Sequence, residues 1–376
     1  MLRGRTRTFP AMAPAALALV LLLVLLLGGC GEKGPPAGSS VPSVPASSSV
    51  PPPPQPEPDP EPVPQPLPEA GPLNALTGLP KAEGVAQDAR PVAVMVANND
   101  RALPQRGLAA ADVLVEMLTE GGITRLMALY ADMGSVPQVG PVRSTRDQFV
   151  QFALPLNSIL AHIGSSVYAR NLLDVTGADS IDGLYLGRTA YWFDEARSNP
   201  KPGGYLKEYC WFTDAALLAA GRDHLGIDPA GTVHTLFRFS DTPTPATGAA
   251  TTVTLSFSGA AEAGFAYSAD TGLYAKSIFG APHTDEDGTP LQYTNLLLLN
   301  CNITLKPDGQ VTEFDMTEGT GWYCTAGGVL PLIWQKGGPK DDLHLYLEDG
   351  TEVLVAPGKS YVAYLPAGRE NAVVFG

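Results

Sequence analysis

Apolar runs alternate with helical patterns along the first half of the chain. Residues 90–97 are almost continuously apolar and end at Asn98-Asn99-Asp100, which predicts a buried strand closed by turn-forming residues. The same pattern predicts strands at residues 123–130 and 158–164, a helix leading into a strand at 107–118, and helices at 148–154, 167–173 and 214–221. Ser144 or Thr145 is the expected cap of the first of these three helices.

The second half changes to an alternation of polar and apolar positions. Residues 251–257 and 266–276 show it first, and further strand-like runs follow at 295–305, 321–323, 330–334, 343–347 and 352–355. Turns such as Pro307-Asp308-Gly309 separate them, which is typical of antiparallel sheets. The predicted fold is an α/β N-terminal domain over residues 73–242, followed by a mostly antiparallel β C-terminal domain over residues 246–376.

A short apolar stretch near the N-terminus ends at a cysteine. Three arginines within the first seven residues precede it, and Leu27-Gly28-Gly29-Cys30 closes it. This order is typical of a secretory signal peptide. The cysteine after Leu and two small residues resembles the bacterial lipobox, in which the thiol receives a diacylglycerol. We therefore predict a lipoprotein signal peptide over residues 1–30 and lipidation at Cys30. A retained membrane-spanning anchor is the alternative, because the stretch is about as long as the shortest spans, roughly 17 residues.

Both interpretations place the chain beyond residue 30 outside the cytoplasm, attached to the cell membrane. Residues 31–72 consist mostly of Pro, Ser, Ala, Val and Glu, and include Pro51-Pro52-Pro53-Pro54. With few large apolar side chains to bury, this segment is expected to be a disordered stalk with polyproline II character.

Charge and cysteine content narrow the candidate functions. The net charge of −14 at pH 7 excludes nucleic acid as a natural partner. The five histidines are scattered and no Cys-x-x-Cys occurs, so we expect no metal and no cofactor. Cys301 and Cys324 lie on neighbouring strand-like runs and form a candidate disulfide, with buried free thiols as the alternative. Cys210 lies in an aromatic run typical of a core.

An ordered set of segments carries a resemblance to a known family. The segments are Asn74-Ala75-Leu76-Thr77-Gly78-Leu79-Pro80, residues 90–95, Ala111-Asp112, residues 120–128, residues 139–144, residues 267–274, Pro282-His283 and Trp334. Together they resemble the YerB-like lipoproteins, a two-domain family of unknown function (domain of unknown function 3048, N- and C-terminal domains). The resemblance covers nearly all of the chain beyond the stalk. It implies a bacterial envelope lipoprotein, most often of Gram-positive organisms, and it implies no activity and no catalytic residues.

Three arginines lie in polar motifs of the first domain. Arg125 follows a double glycine, and Arg143 and Arg146 lie at a predicted helix start, where backbone N–H groups favour anions. A guanidinium presents a planar fork to carboxylates and phosphates. With Asn98 and His162, which end predicted strands, these arginines form the predicted ligand-binding set.

Structural roles are the alternative for each of these residues. Arg125 and Arg143 would then pair with Glu116, Glu120 or Asp112 and hold loops together. His162 would be a hydrogen-bonded histidine at the edge of the core. In a catalytic role, His162 would act as a base with Ser165 as nucleophile, oriented by Asp112 or Asp174.

The sequence therefore predicts a binding module for an anionic envelope component or a protein partner. The rival is a cell-wall-directed hydrolase that uses Glu116, Glu120 or His162 as acid and base. A third class is a structural protein whose β domain serves as an interaction platform.

Overall fold

The computed structural model describes residues 71–198, 204–369 and 371–376. The predicted signal peptide with Cys30 lies outside the described residues. So does the predicted stalk, except for Gly71 and Pro72. Across the described ranges, no helix combines the length and the apolar character needed to cross a bilayer.

Strands dominate the described part of the chain. The strands are β1 (Val92–Asn98), β2 (Val113–Leu118), β3 (Thr124–Tyr130), β4 (Ile159–His162), β5 (Ser180–Asp182), β6 (Trp192–Phe193), β7 (Trp211–Phe212), β8 (Gly248–Ala249), β9 (Thr252–Ser256), β10 (Glu262–Ser268), β11 (Leu273–Ile278), β12 (Ala281–Pro282), β13 (Gln292–Tyr293), β14 (Asn295–Leu305), β15 (Thr312–Asp315), β16 (Glu318–Thr325), β17 (Gly328–Gln335), β18 (His344–Tyr346), β19 (Ser360–Pro366) and β20 (Val373–Phe375). The helices are α1 (Asp147–Ala153), α2 (Val167–Thr176), α3 (Gly183–Leu186) and α4 (Ala215–Leu225).

The larger sheet runs through both halves of the chain. Its order is β18-β17-β16-β14-β19-β2-β3-β1-β4-β5, with β15 paired to β14 and β8 to β17. β19, from the C-terminal half, lies between β14 and β2 and is parallel to both. β4 and β5 continue parallel to β1. The predicted fold class is confirmed, because helices and parallel strands characterise the first half and antiparallel pairs dominate the second.

The smaller sheet has the order β12-β11-β10-β9-β20, with β13 paired to β11, and all its pairs are antiparallel. β9 alternates exposed and buried positions, so one face of this sheet packs on the core. Buried side chains of both sheets, such as Leu129, Leu297 and Phe265, belong to one hydrophobic cluster.

Most predicted elements are present, with local differences. β1 and β3 are buried at every position, which explains their continuous apolar runs. Asp214 caps α4 by accepting from the Leu217 N–H at 3.0 Å. The predicted cap of α1 at Ser144 or Thr145 is wrong. The cap residue is Arg146, and the Ser144 hydroxyl donates instead to the Ile163 carbonyl at 2.9 Å. At residues 107–118, a short 3-10 turn precedes β2.

The candidate disulfide is contradicted. Cys301, Cys324 and Cys210 are buried free thiols. In the register of β14 and β16, Cys324 lies opposite Leu296, which precedes Cys301 by five positions on β14. At about 3.3 Å per residue, this offset places the two cysteine Cα atoms roughly 16 Å apart, beyond the ~7 Å that a disulfide spans. The two strands are neighbours, as the sequence suggested, but their register keeps the thiols apart.

Candidate functional site

The five residues of the predicted site occupy three places. Arg125, Arg143 and Arg146 form one group, called here the arginine cluster, because the charges of Arg143 and Arg146 act on Arg125. Asn98 belongs to a buried polar network, and His162 lines a separate cavity. The sequence therefore predicted one shared site where the structure brings together only the arginines.

Arg125 is a buried cation with no carboxylate within 4.0 Å in the part of the chain that the structure describes. It lies on β3, opposite Ala97 of β1 and Met117 of β2, and is 6% exposed. Its Nη1 donates to the Ser144 carbonyl at 2.6 Å. Burial, together with the charges of Arg146 and Arg143, lowers the pKa of Arg125 to about 9. The guanidinium is still charged at neutral pH, and the charge of Glu120, which already pairs with Arg146, offsets its desolvation only in part.

Arg146 holds the one carboxylate of the arginine cluster. Its Nε and Nη2 approach the two carboxylate oxygens of Glu120 at 2.5 and 2.8 Å, a bidentate pair. Burial alone would raise the pKa of Glu120, but the hydrogen bonds and charge of Arg146 outweigh it and lower that pKa. Nη1 of Arg146 donates to the Thr145 carbonyl at 2.8 Å, which fixes the guanidinium plane.

Arg143 lies over an aromatic ring at the margin of the arginine cluster. Its guanidinium carbon is 5.2 Å from the ring centroid of Tyr209, and Nη1 donates to the Glu208 carbonyl at 3.2 Å. The Tyr209 hydroxyl accepts from Asn99 Nδ2 at 2.8 Å. Half-buried Arg143 is thus positioned by an aromatic face and a carbonyl. Tyr209 was missed at the sequence level because its aromatic run looked like core.

The ion pairs expected in the structural alternative are not formed by Arg125 or Arg143. Among the described residues, the only carboxylate within 4.0 Å of the arginine cluster is Glu120. Asp112 accepts instead from Asn74 Nδ2 at 3.1 Å and from the Ala131 N–H at 2.8 Å. Three guanidiniums against one carboxylate make a local positive centre in a strongly acidic protein.

Asn98 and Glu116 belong to a buried polar network between the sheets. Glu116 Oε1 accepts from Asn98 Nδ2 at 2.9 Å and from the Thr124 hydroxyl at 2.7 Å. Oε2 accepts from the Tyr361 hydroxyl at 2.7 Å and lies 3.5 Å from Lys276 Nζ. We call these five residues the Glu116 network. Both carboxylate oxygens of Glu116 thus accept hydrogen bonds inside the protein, and its side chain is 1% exposed.

His162 ends β4 and lines a cavity of about 220 Å³. Its Nδ1 is 2.8 Å from the Gly164 carbonyl, and its buried Nε2 has no hydrogen-bond partner within the described ranges. The carboxylate beside the ring is Asp182, at 3.8 Å, and not Asp112 or Asp174 as predicted. Burial lowers the pKa of His162, although Asp182 partly opposes this.

A larger cavity, of about 660 Å³, lies elsewhere and was not predicted. Its lining includes Arg106, Trp192, Asp194 and Asp285. Arg106 pairs with Asp194 at 2.8 Å, and both oxygens of Asp285 accept backbone N–H groups. Among the described residues of the lining, Arg106 is the one cation beside Asp194, Asp285, Glu286 and Asp287, so this cavity does not favour an anionic group and its size alone does not make it the stronger candidate. Within the described ranges, no group of three His, Cys, Asp or Glu side chains could hold a metal ion.

Comparisons with known proteins agree over most of the chain. Two family models match: the N-terminal domain of "Protein of unknown function (DUF3048)" over residues 76–224, and its C-terminal domain over residues 253–362. "Putative lipoprotein YerB" of Bacillus subtilis (strain 168) is 28% identical over 303 residues, covering 77% of this chain and 85% of that protein. The crystal structure of YerB protein from Bacillus subtilis superposes with a TM-score of 0.70 at 26% identity, covering 81% of this chain and 99% of that one.

Proposed function

The chain belongs to the DUF3048 family of proteins of unknown function, and from this premise we propose that it is a lipid-anchored, extracytoplasmic binding protein. Its ligand is an anionic envelope component or a protein partner that presents an anionic group. The arginine cluster clamps that group. One observation carries the proposal: Arg125 is buried and charged, without a carboxylate within 4.0 Å among the described residues.

Physical chemistry favours an anion at this place. A buried guanidinium that lacks a counter-ion pays a desolvation cost, which a bound carboxylate or phosphate would offset. Arg143 lies beside it at the margin, where a ligand approaching from solvent would arrive first. Arg146 is already held by Glu120, so it adds charge at a fixed position. The overall charge of −14 repels polyanions such as nucleic acid at long range. An anionic ligand would therefore be recognised through direct contact with the arginines.

The membrane anchor is supported by the N-terminal sequence and by the relative. Cys30 follows an apolar stretch preceded by arginines, and the Bacillus subtilis relative is named a lipoprotein. We propose that Cys30 carries the lipid and that residues 31–72 form the stalk. This arrangement would hold the binding site on the outer side of the cell membrane.

The hydrolase alternative is less well supported. Glu116 is engaged by its network, and Glu120 by Arg146, so neither carboxylate is free to move a proton. Neither Glu116 nor Glu120 is among the residues that line the His162 cavity. A pair of acid and base facing one cleft is therefore lacking among these three residues.

Replacing Arg143 is the direct test of the arginine cluster. We expect Arg143→Gln to weaken binding of a glycerol-phosphate polymer or of polyglutamate about ten- to hundredfold, because one charge-assisted contact is lost. The melting temperature should stay nearly constant, because Arg143 forms no ion pair among the described residues. Isothermal titration with the full chain in detergent, at two salt concentrations, measures the affinity.

A surface arginine provides the matched control for this test. Arg188, whose side chain is 69% exposed, pairs with Glu195 at 3.4 Å, far from any role proposed here. Arg188→Gln should bind both polymers as the unmodified protein does. If both variants weakened binding equally, the effect would come from the net charge of the protein and not from a site at Arg143. A large fall in melting temperature for Arg143→Gln would support the structural alternative.

Replacing Cys30 tests the anchor. We expect Cys30→Ala to move the protein from the membrane fraction to the soluble fraction, because a diacylglycerol supplies most of the membrane affinity. Ser47→Ala, within the predicted stalk, is the control and should stay in the membrane fraction. Mass spectrometry of the mature N-terminus identifies the lipid. A Cys30→Ala variant that stays membrane-bound would favour a retained anchor helix.

A further inference from the structure

The cavity beside His162 lies where open α/β sheets commonly bind ligands. β1, β4 and β5 are parallel, and His162 and Asp182 are the last residues of β4 and β5. Ligands of such sheets bind in the crevice outside the carboxyl ends of the strands. The cavity, of about 220 Å³, is lined there by residues that include Ser165, Arg170 and Tyr185.

The hydrogen bonds around His162 define what its free nitrogen can do. The Gly164 carbonyl accepts at 2.8 Å, so Nδ1 carries the proton and Nε2 carries the lone pair. Asp182 Oδ1 accepts from the Gly164 N–H at 2.8 Å and from the Leu184 N–H at 2.9 Å, which holds the loop in place. His162 is 1% exposed, and its Nε2 has no hydrogen-bond partner among the residues that the structure describes. A buried acceptor of this kind calls for a donor.

The rest of the lining also favours a ligand rich in hydroxyl donors. The lining adds the exposed carboxylate of Asp174 and the hydroxyl of Ser180, whereas Asp182 Oδ2 lies 3.6 Å from Arg170 Nη2 and is already engaged. Tyr185 adds an aromatic side chain that is 72% exposed, with the Arg170 guanidinium 5.3 Å from its ring centroid. The volume is below the 300–1,000 Å³ typical of drug-sized ligands and suits a single small ring.

We propose that this cavity is a saccharide site, which holds one neutral sugar ring with a hydroxyl donating to His162 Nε2. Asp174 accepts a further hydroxyl, and Tyr185 contacts the apolar face of the ring. This site is separate from the arginine cluster and does not depend on the proposed anionic ligand.

Nuclear magnetic resonance of the full chain, labelled with ¹⁵N-histidine, tests the proposal. The probes are N-acetylglucosamine and glucose as neutral rings, and glucosamine as an amine-bearing ring. We expect a saturable change in the ¹⁵N shift of His162 Nε2 with the neutral sugars, in the direction of an accepted hydrogen bond. Tyr185→Ala and Asp174→Asn change exposed side chains and should each lower the affinity about three- to tenfold.

Val175→Ala is the matched control, because Val175 is 81% exposed on the same helix, α2, and does not line the cavity. It should leave the affinity unchanged. Failure of all three sugars to shift the His162 signal up to their solubility would overturn the proposal. So would binding of glucosamine alone, which would indicate an amine site, or an equal loss of affinity in Val175→Ala. None of these results bears on the binding of anionic polymers at Arg143.

Discussion

The free energy of unfolding is expected to fall as the pH is lowered from about 7 to 5, because two histidines are buried in neutral form. His283 and His162 are both 1% exposed, and burial lowers the pKa of each. At His283 the ammonium group of Lys276 lowers the pKa further. The unfolded chain binds a proton on each near pH 6.5, where the folded protein does not.

The sign of this effect follows from proton binding. Above about pH 6.5 neither state is protonated at these rings, and the stabilisation is present in full. Below it the unfolded state binds more protons, so stability is lost as the pH falls toward and through the folded-state pKa values. The slope approaches about 1.4 kcal/mol per pH unit for each histidine. Urea unfolding at a series of pH values measures it.

Single histidine variants isolate the cause. In His283→Gln the amide can still donate to Gln105 Oε1, which accepts from His283 Nε2 at 2.7 Å, and the slope should drop by about half. His224→Gln, on the exposed side of α4, is the control. Burial raises the pKa values of Asp112 and Asp285, which act in the opposite direction at lower pH. The test is therefore the difference in slope between the variants. Identical slopes in the unmodified protein, His283→Gln and His224→Gln would contradict the prediction.

Strands that are buried at every position were predictable from the sequence. β1 and β3 are buried throughout, so every position is apolar or close to it, and local pattern is enough to find them. The proximity of the three arginines was also predictable from the sequence. Arg143 and Arg146 are three positions apart in one segment, and Gly121-Gly122 places Arg125 at the start of a neighbouring strand. Residues that are close in sequence, or that lie at the start of a strand, can occupy few positions relative to one another.

Contacts between distant strands were not predictable in this way. Lys276 lies on the same face of β11 as Tyr274 and Ile278, and its side chain is fully buried, although a lysine normally indicates exposure to solvent. Tyr361 reaches Glu116 across 245 residues of sequence, because β19 inserts between β14 and β2. The period of a strand identifies its faces but says nothing about which strand will cover each face. The sequence therefore did not reveal that Asn98 and Glu116 share a buried network, although Asn98 also lines a cavity.

The Glu116 network leads to the largest stability effect that we expect. Glu116→Gln should lower the free energy of unfolding by about 3–5 kcal/mol, because it leaves the fully buried Lys276 without its counter-ion. Lys276→Met should cost less, about 1–2 kcal/mol, because three donors still contact Glu116. Chemical denaturation of both variants measures these changes.

The double variant decides whether the two charges act as a pair. Glu116→Gln combined with Lys276→Met should cost at least about 1 kcal/mol less than the sum of the single variants, since neither partner is then left alone. Glu195→Gln is the control, because Glu195 pairs with Arg188 on the surface, and it should change stability by less than about 0.5 kcal/mol. Additive costs would mean that Glu116 is held by its neutral donors alone. A coupled pair would mean that this contact between β2 and β11 helps to bind the α/β half of the chain to the β half.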